Sequence, residues 1–184
     1  MKKSLIGALV GGLLIFIWQT LSWTMLDLHR PAQDYTPQQD SILQYLNTHL
    51  GKQGGYLLPS VPKGTTFEEA NKFYQTQEGK PWASIQYHSS YNTDMNAMYM
   101  NMLRGFLTNL IMVWLLCWIL GKWTNPNFAN VFLACVFIGL IVFINEPYSQ
   151  YIWYKIFDVR SHLTDALASW GLCGIWLGWW MRKK

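Results

Sequence analysis

Four segments of this 184-residue chain are apolar and contain no charged residue. They lie at 4–26, 105–121, 128–145 and 166–181. Each is close to the roughly 17–25 residues that cross the hydrocarbon core of a bilayer as a helix. Charged residues make up 13% of the chain, about half the share that is usual in soluble domains. The sequence therefore predicts an all-α membrane protein with four transmembrane helices.

The predicted helices leave two extracytoplasmic segments between them. The helices are predicted at 4–27, 94–121, 127–146 and 161–181, and the second spans the bilayer over about 105–121. Residues 28–93 have the composition of a soluble domain and are predicted to form a small α+β insertion between the first two helices. Residues 147–160 are rich in aromatic side chains, which is typical of a loop at the membrane interface. Pro147 is expected to end the third helix, because proline disfavours helical backbone at the residue before it.

Two helices and two strands are predicted within the insertion. Pro37 follows Thr36 in a pattern typical of a helix start, and Thr66–Glu69 has the pattern of a capping box. Strands are predicted at 55–59 and at 82–88, the second from its alternation of apolar and polar side chains. Because these elements provide little apolar surface for a core, we expect the insertion to pack on the membrane helices or on a partner.

The distribution of charge predicts the orientation of the helices. The segments assigned to the cytoplasm carry basic residues and no acidic ones: Lys2, Lys3, Lys122, Arg182, Lys183 and Lys184. All ten acidic residues lie on the other side of the membrane or close to that face. The positive-inside rule therefore places both termini in the cytoplasm and residues 28–93 outside it. The first segment is too long for the apolar part of a cleaved signal peptide and has no small-x-small cleavage site, so we interpret it as a signal anchor.

Small residues mark candidate contacts between the helices. Gly7 with Gly11, and Gly174 with Gly178, form two G-x-x-x-G pairs, a spacing that lets another helix approach closely. Gly171 is predicted to belong to the same packing face as Gly174 and Gly178. The three cysteines all fall within predicted spanning helices and are interpreted as small packing residues: Cys117, Cys135 and Cys173.

Four methionines cluster at the start of the second predicted helix, at Met95, Met98, Met100 and Met102. Thioether sulfurs can bind Cu(I), and methionine also fills irregular gaps in apolar packing. Met95, Met98 and Met102 form one stripe along a helix, whereas a copper site needs sulfurs that converge on a point. We therefore interpret this stripe as the face on which the insertion packs against the helix.

A polar cluster is predicted at the extracytoplasmic end of the bundle. His162 and Asp165 are three residues apart and share one face of the fourth helix. The other helices bring further polar residues to the same level: His29, Arg104, Asn109 and Glu146. Such a cluster suits a proton relay, a metal site or a polar substrate pocket. The structural alternative is that Asp165, near a helix N-terminus, pairs with Arg104 or Arg160. No metal or cofactor is predicted, because the histidines lack H-x-x-x-H and H-E-x-x-H spacings.

The sequence contains no catalytic or nucleotide-binding motif of the kinds G-x-S-x-G, P-loop or G-x-G-x-x-G. We therefore expect a non-enzymatic accessory or scaffold subunit, with the lipid bilayer and either a membrane protein or a second copy of the chain as partners. The alternative is a small proton-coupled transporter that uses His162, Asp165 and Glu146. A third hypothesis is an enzyme acting on a lipid or quinone at the outer leaflet. The basic residues form no stripe on a soluble face, so no nucleic-acid partner is expected.

Two short motifs resemble those of a known group of proteins. The first apolar segment reads F-x-W-x-x-x-S-W from Phe16 to Trp23, and the insertion reads G-x-Y-x-x-P from Gly54 to Pro59. These motifs and the four-helix layout resemble a group of small bacterial inner-membrane proteins with no assigned activity. The resemblance implies a multi-pass protein of the bacterial inner membrane, and it implies no mechanism.

Overall fold

A computed structural model describes residues 2–182 of the chain. Their regular elements are α1 (Lys2–Thr24), α2 (Gln39–His49), β1 (Gly54–Leu58), α3 (Phe67–Gln75), β2 (Ala83–Tyr87), α4 (Met95–Leu120), α5 (Phe128–Phe143), α6 (Ser149–Tyr154) and α7 (Val159–Met181). The chain divides into a helical unit and an insertion unit, Tyr35–Thr93. Lys183 and Lys184, which contribute to the predicted orientation, lie outside the described residues.

Three helical stretches are long and apolar enough to cross a membrane. They are Lys2–Thr24, Met95–Leu120 and the continuous stretch Phe128–Tyr154. The structure thus has the helices of a membrane protein, as the sequence predicts. α7 is also 23 residues long, but it carries Arg160, His162 and Asp165 in its first turns and is not one of the three.

The centre of the helical unit is formed by α1 and α7, which pack on each other. α4 packs along α1, and α5 packs along α7. The four helices contribute buried side chains to one core: Ala8, Ile15, Val113, Leu116, Cys117, Leu120, Val131, Cys135, Trp170, Cys173, Leu177 and Met181. The three cysteines are free thiols and are fully buried in this core.

Glycines allow α1 to approach α4 and α7 closely. A Cβ atom at Gly11 would lie 2.9 Å from Cγ1 of Val113, and one at Gly7 would lie 3.2 Å from Sγ of Cys117. A Cβ atom at Gly12, the neighbour of Gly11, would lie 2.9 Å from the backbone of Leu110. A larger residue at these positions would require the helices to move apart.

The contact between α5 and α7 follows a line of residues spaced four apart on α7. A Cβ atom at Gly178 would lie 2.8 Å from Cδ2 of Phe128, and one at Gly174 would lie 3.0 Å from Cβ of Cys135. A Cβ atom at Gly171 would meet no heavy atom within 4 Å, so its predicted place on the packing face is wrong. The reason is that an i, i+4 ridge runs through 166, 170, 174 and 178, and residue 171 lies beside it.

The helix that begins with α5 continues past Pro147, contrary to the prediction that proline ends it. Ile144–Tyr148 forms a π-helical turn, and α6 follows directly. In a π turn each hydrogen bond spans one residue more than in an α-helix. The wider turn accommodates the proline ring and its missing N–H without breaking the helix. Most of the predicted interfacial loop is therefore helical, and the chain leaves the helix at Lys155, which has a φ of 25°.

The insertion unit contains the two helices and two strands that the sequence predicts. β1 and β2 are antiparallel, with Tyr56 opposite Ile85. The predicted capping box is present at the start of α3: the Thr66 hydroxyl accepts from the N–H of Glu69, and the Glu69 carboxylate accepts from the N–H of Thr66. α2 begins at Gln39, two residues later than Pro37 suggests, and Gln38 makes no side-chain cap.

The start of α4 lies where the sequence places it, with Asp94 as the N-cap. The side-chain carboxylate of Asp94 accepts a hydrogen bond from the N–H of Asn96 at 3.0 Å. Met95, Met98 and Met102 are 53%, 45% and 43% exposed, respectively. Their role in packing against the insertion stays a prediction.

A substitution of Gly139 tests the close packing of α5 on α7. Its Cβ atom would lie 2.7 Å from the carbonyl oxygen of Ala166 and 2.8 Å from the Trp170 ring, so the two backbones must separate. We expect Gly139→Ala to lower the free energy of unfolding by about 1–3 kcal/mol. Unfolding of the purified chain in mixed detergent micelles measures this change.

Gly171→Ala is the matched control for Gly139→Ala. It adds the same methyl group to a helical glycine that faces open space. Alanine favours the helix by up to about 1 kcal/mol over glycine, so this variant should be unchanged or slightly more stable. Equal destabilisation by both variants would contradict the close-packing argument.

The capping box of α3 gives a pH-dependent prediction. Hydrogen bonds from the Thr66 hydroxyl and then from its backbone N–H hold the pKa of the Glu69 carboxyl below its ordinary value of 4.5. The stabilisation from ionised Glu69 is therefore fully present above the pKa of the unfolded chain. It is lost as the pH falls through the lower pKa of the folded chain.

The expected result is that Thr66→Val raises the pKa of Glu69 toward its ordinary value, because the hydroxyl donor is removed. A carboxyl-carbon NMR titration of the full chain in detergent measures this pKa. Thr65→Val is the control, since the Thr65 hydroxyl donates to the carbonyl of Pro62 at 2.8 Å. A Glu69 pKa that Thr66→Val leaves unchanged would refute the assignment.

Candidate functional site

His29 lies in the turn that follows α1, and the local backbone directs it inward. Asp27 adopts a left-handed conformation with a φ of 48°, which aspartate tolerates better than most residues. This reversal lets the N–H of Leu28 donate to the carbonyl of Ser22 at 3.1 Å. His29 then precedes the short 3-10 turn Arg30–Ala32, and it is only 2% exposed.

The imidazole of His29 lies between two carboxylates from the start of α7. Its Nδ1 is 2.7 Å from Oδ2 of Asp158, and its Nε2 is 2.9 Å from Oδ2 of Asp165. Asp158 is 5% exposed and Asp165 is 15% exposed. One histidine thus joins the turn after α1 to two positions on α7.

The chemistry of the three groups limits which hydrogen bonds His29 can form at the same time. A carboxylate can only accept a hydrogen bond, and a neutral imidazole has a single N–H donor. Both contacts are satisfied when the ring is protonated on both nitrogens, or when one of the two aspartates is protonated instead. Two simultaneous hydrogen bonds therefore require one proton more than a neutral histidine with two carboxylates provides.

His162 completes the cluster on its partly exposed side. Its Nε2 lies 3.4 Å from Oδ2 of Asp158, and its side chain is 29% exposed. Its ring meets the ring of His29 edge to face, with centroids 4.7 Å apart. Asp158, His162 and His29 thus bring two imidazoles and one carboxylate to a single point.

Neighbouring side chains fix the orientation of the cluster. The indole N–H of Trp18 donates to Oδ1 of Asp165 at 3.0 Å. The Trp23 ring stacks on the His29 ring, with centroids 3.8 Å apart and planes within 5°. The Ser161 hydroxyl donates to the carbonyl of Leu28 at 2.5 Å, which ties α7 to the same turn. These contacts leave the ring of His29 little freedom to rotate.

The structure brings together three of the six residues in the predicted polar cluster: His29, His162 and Asp165. Asn109 is buried elsewhere, where its amide donates to Oε1 of Gln19 at 2.7 Å. Arg104 and Glu146 are exposed, and their side chains make no ion pair or hydrogen bond within residues 2–182. The predicted pairing of Asp165 with Arg104 or Arg160 is wrong, because its carboxylate is occupied by Trp18 and His29.

The sequence analysis missed Asp158 and Trp18 as members of the cluster. The signal for Asp158 is present in the sequence, because Asp158, His162 and Asp165 follow the spacing D-x-x-x-H-x-x-D along one helix face. No local pattern in the sequence indicates that the indole N–H of Trp18 meets Asp165.

Comparisons with protein-family models, with curated proteins and with solved structures give no match. The cluster geometry is therefore the main evidence for a site in this chain.

Removal of His29 tests how strongly the cluster stabilises the fold. His29→Gln leaves the carboxylates of Asp158 and Asp165 close together without their shared partner. We expect the free energy of unfolding to fall by about 3–5 kcal/mol, as for other broken buried ion pairs. A second substitution, Asp158→Asn, should restore part of this loss, because it removes one of the two neighbouring charges that His29 no longer compensates.

Arg30→Gln is the control for His29→Gln, one residue further along the chain. Arg30 lies 3.8 Å from Asp27, and both side chains are 59% exposed. An exposed pair of this kind contributes at most about 1 kcal/mol. Comparable losses in the two variants would show that the cluster does not stabilise the fold specifically.

Proposed function

We propose that this chain is a multi-pass protein of the bacterial inner membrane that acts as a non-enzymatic accessory or scaffold subunit. The observation that carries the proposal is how few residues of the insertion unit are buried. Tyr87 is its one buried residue, and the other residues of Tyr35–Thr93 are at least partly exposed. A folded segment with this little internal burial is well suited to binding another protein.

The energetics of the insertion unit support a partner. Ordering each residue costs roughly 1–2 kcal/mol of backbone entropy, which soluble domains offset mainly by burying apolar side chains. Here Leu43, Phe67 and Trp82 are 56%, 83% and 52% exposed. Hydrogen bonds of two tyrosines hold the unit together: Tyr87 donates to Asn47 at 2.7 Å, and Tyr56 donates to the carbonyl of Leu50 at 2.9 Å.

Four membrane crossings form part of the proposal, with α7 as the fourth. α7 packs along α1 and along α5, both of which belong to stretches of membrane-spanning length. The two ends of the chain also meet, because Nζ of Lys3 donates to the carbonyl of Arg182 at 3.4 Å. This contact supports both termini on one side of the membrane, and the basic residues support the cytoplasmic side.

The positions of the polar side chains along the helices favour a scaffold over the proton-coupled transporter. The polar contacts begin at His29, in the turn after α1. On α1 itself they reach Trp18, which donates to Asp165, and Gln19, which accepts from Asn109. Beyond this level Ser169 is the one buried polar side chain within residues 2–182, and its hydroxyl donates to the carbonyl of Asp165. The other buried side chains there are apolar or cysteine, such as Ile15 and Leu177. A proton or a polar substrate crossing the membrane would need polar groups or water along the whole path.

Photo-crosslinking in native membranes tests the scaffold proposal. A photoreactive amino acid is placed at Leu43 in one variant and at Phe67 in another. Both variants should yield an adduct with the same partner protein. Lys72 on α3 is the matched control, because its side chain is 72% exposed and pairs with Glu68 at 2.7 Å. The control position should give little or no adduct.

Mass spectrometry of the adduct identifies the partner, and purification of that partner should recover this chain in a fixed ratio. Leu43→Asp should lower the recovered ratio several-fold, because it places a charge in the apolar contact. An adduct with a second copy of this chain identifies a homo-oligomeric scaffold. Adducts with lipid alone, or equal adducts at the control position, would refute the proposal.

A further inference from the structure

We propose that His29, Asp158 and His162 form a binding site for a divalent transition metal of the zinc type. The ligand atoms are Nδ1 of His29, Oδ2 of Asp158 and Nε2 of His162. The three residues can place one ligand atom each within 4.8 Å of the other two. The inference is independent of the proposed scaffold function.

One of the two short separations between the ligand atoms equals that of a tetrahedral site, and the other is shorter. Zinc binds histidine nitrogen and carboxylate oxygen at about 2.0–2.2 Å, which places neighbouring ligand atoms about 3.3 Å apart. Nδ1 of His29 lies 2.7 Å from Oδ2 of Asp158, and Nε2 of His162 lies 3.4 Å from the same oxygen. The second separation is already suitable, and the first must open by about 0.6 Å, through rotation of the two side chains, to admit the ion.

Asp165 is placed to orient the histidine ligand. A metal-bound histidine usually donates its second ring N–H to a carboxylate or carbonyl, which fixes the tautomer and the ring orientation. Nε2 of His29 faces Oδ2 of Asp165 at 2.9 Å, and Trp18 holds the other oxygen of that carboxylate. Nδ1 of His29 is then the nitrogen available to the metal.

The charges of the cluster also match a divalent cation. Asp158 and Asp165 together carry two negative charges close to each other and largely buried. Buried charges are costly unless they are compensated, and a divalent ion between two neutral imidazoles compensates both.

The ligand set favours zinc over magnesium or calcium, which prefer oxygen ligands. Three protein ligands leave the fourth tetrahedral position for water or a substrate atom, as in catalytic zinc sites. The 29% exposure of His162 gives that position a route to solvent. The site is thus built to bind a metal that keeps one exchangeable ligand.

His162 distinguishes a metal site from a purely structural cluster. In a structural cluster, His162 adds one partly exposed contact at 3.4 Å, and its loss changes little. In a metal site, His162 supplies one of three ligands, and its loss removes much of the affinity. His162→Gln is therefore informative, and it leaves His29 with both of its carboxylate partners.

Zinc titration of the full chain, purified in detergent with a histidine-free tag and stripped with a chelator, tests the site. Competition with a chromophoric chelator should show one Zn²⁺ per chain. Asp165→Asn should weaken binding by about 10–100-fold, the usual effect of changing a group that orients a metal-bound histidine. His162→Gln should weaken binding by more than that, and its melting temperature without metal should match that of the unchanged chain.

His49→Gln is the control for loss of a histidine outside the cluster. His49 is exposed on α2, and its Nδ1 lies 2.8 Å from the carbonyl of Tyr45. This variant should bind zinc as tightly as the unchanged chain. Co²⁺ should give the intense visible absorption of a tetrahedral site, and His162→Gln should remove it. Zinc binding that is absent, or equal in His162→Gln and the unchanged chain, would overturn the proposal.

Discussion

The ring of His29 lies between Asp158 and Asp165, and this contact joins the turn after α1 to the first turns of α7. All three groups are largely removed from water, so each depends on the others for compensation of its charge. The contact also sets the register of α1 against α7, because Trp18 and Ser161 can reach their partners only in that register. α4 and α5 then pack on this central pair.

Close contacts at small residues fix the same helix arrangement along the length of the bundle. Gly11 and Gly7 face α4 and α7, and Gly174 and Gly178 face α5. In a bilayer the lipid tails are as apolar as the side chains, so helices gain little from the hydrophobic effect and associate through van der Waals contact. One polar contact at the end of α1 and several glycine contacts along its length are complementary ways to fix the same arrangement.

The insertion unit is held together differently. It has a two-stranded sheet, two short helices and one buried side chain, Tyr87. Its large apolar side chains remain on the surface, which suits a segment that binds another protein. The helical unit carries a precise polar cluster instead. A membrane anchor with a metal-binding end and a separate surface for a partner would combine both features in one small chain.

The sequence by itself determined the apolar helices, the insertion between them and the capping box at Thr66, because hydropathy and capping are local properties of a segment. The spacing of Asp158, His162 and Asp165 also makes these residues predictable as one helix face. Only the tertiary structure decided that His29, 129 residues from Asp158, lies between the two carboxylates. It also decided that Arg104 and Glu146 lie elsewhere, and that the helix continues through Pro147. These outcomes depend on how α1 packs on α7 and how a turn accommodates proline, and no local pattern specifies either.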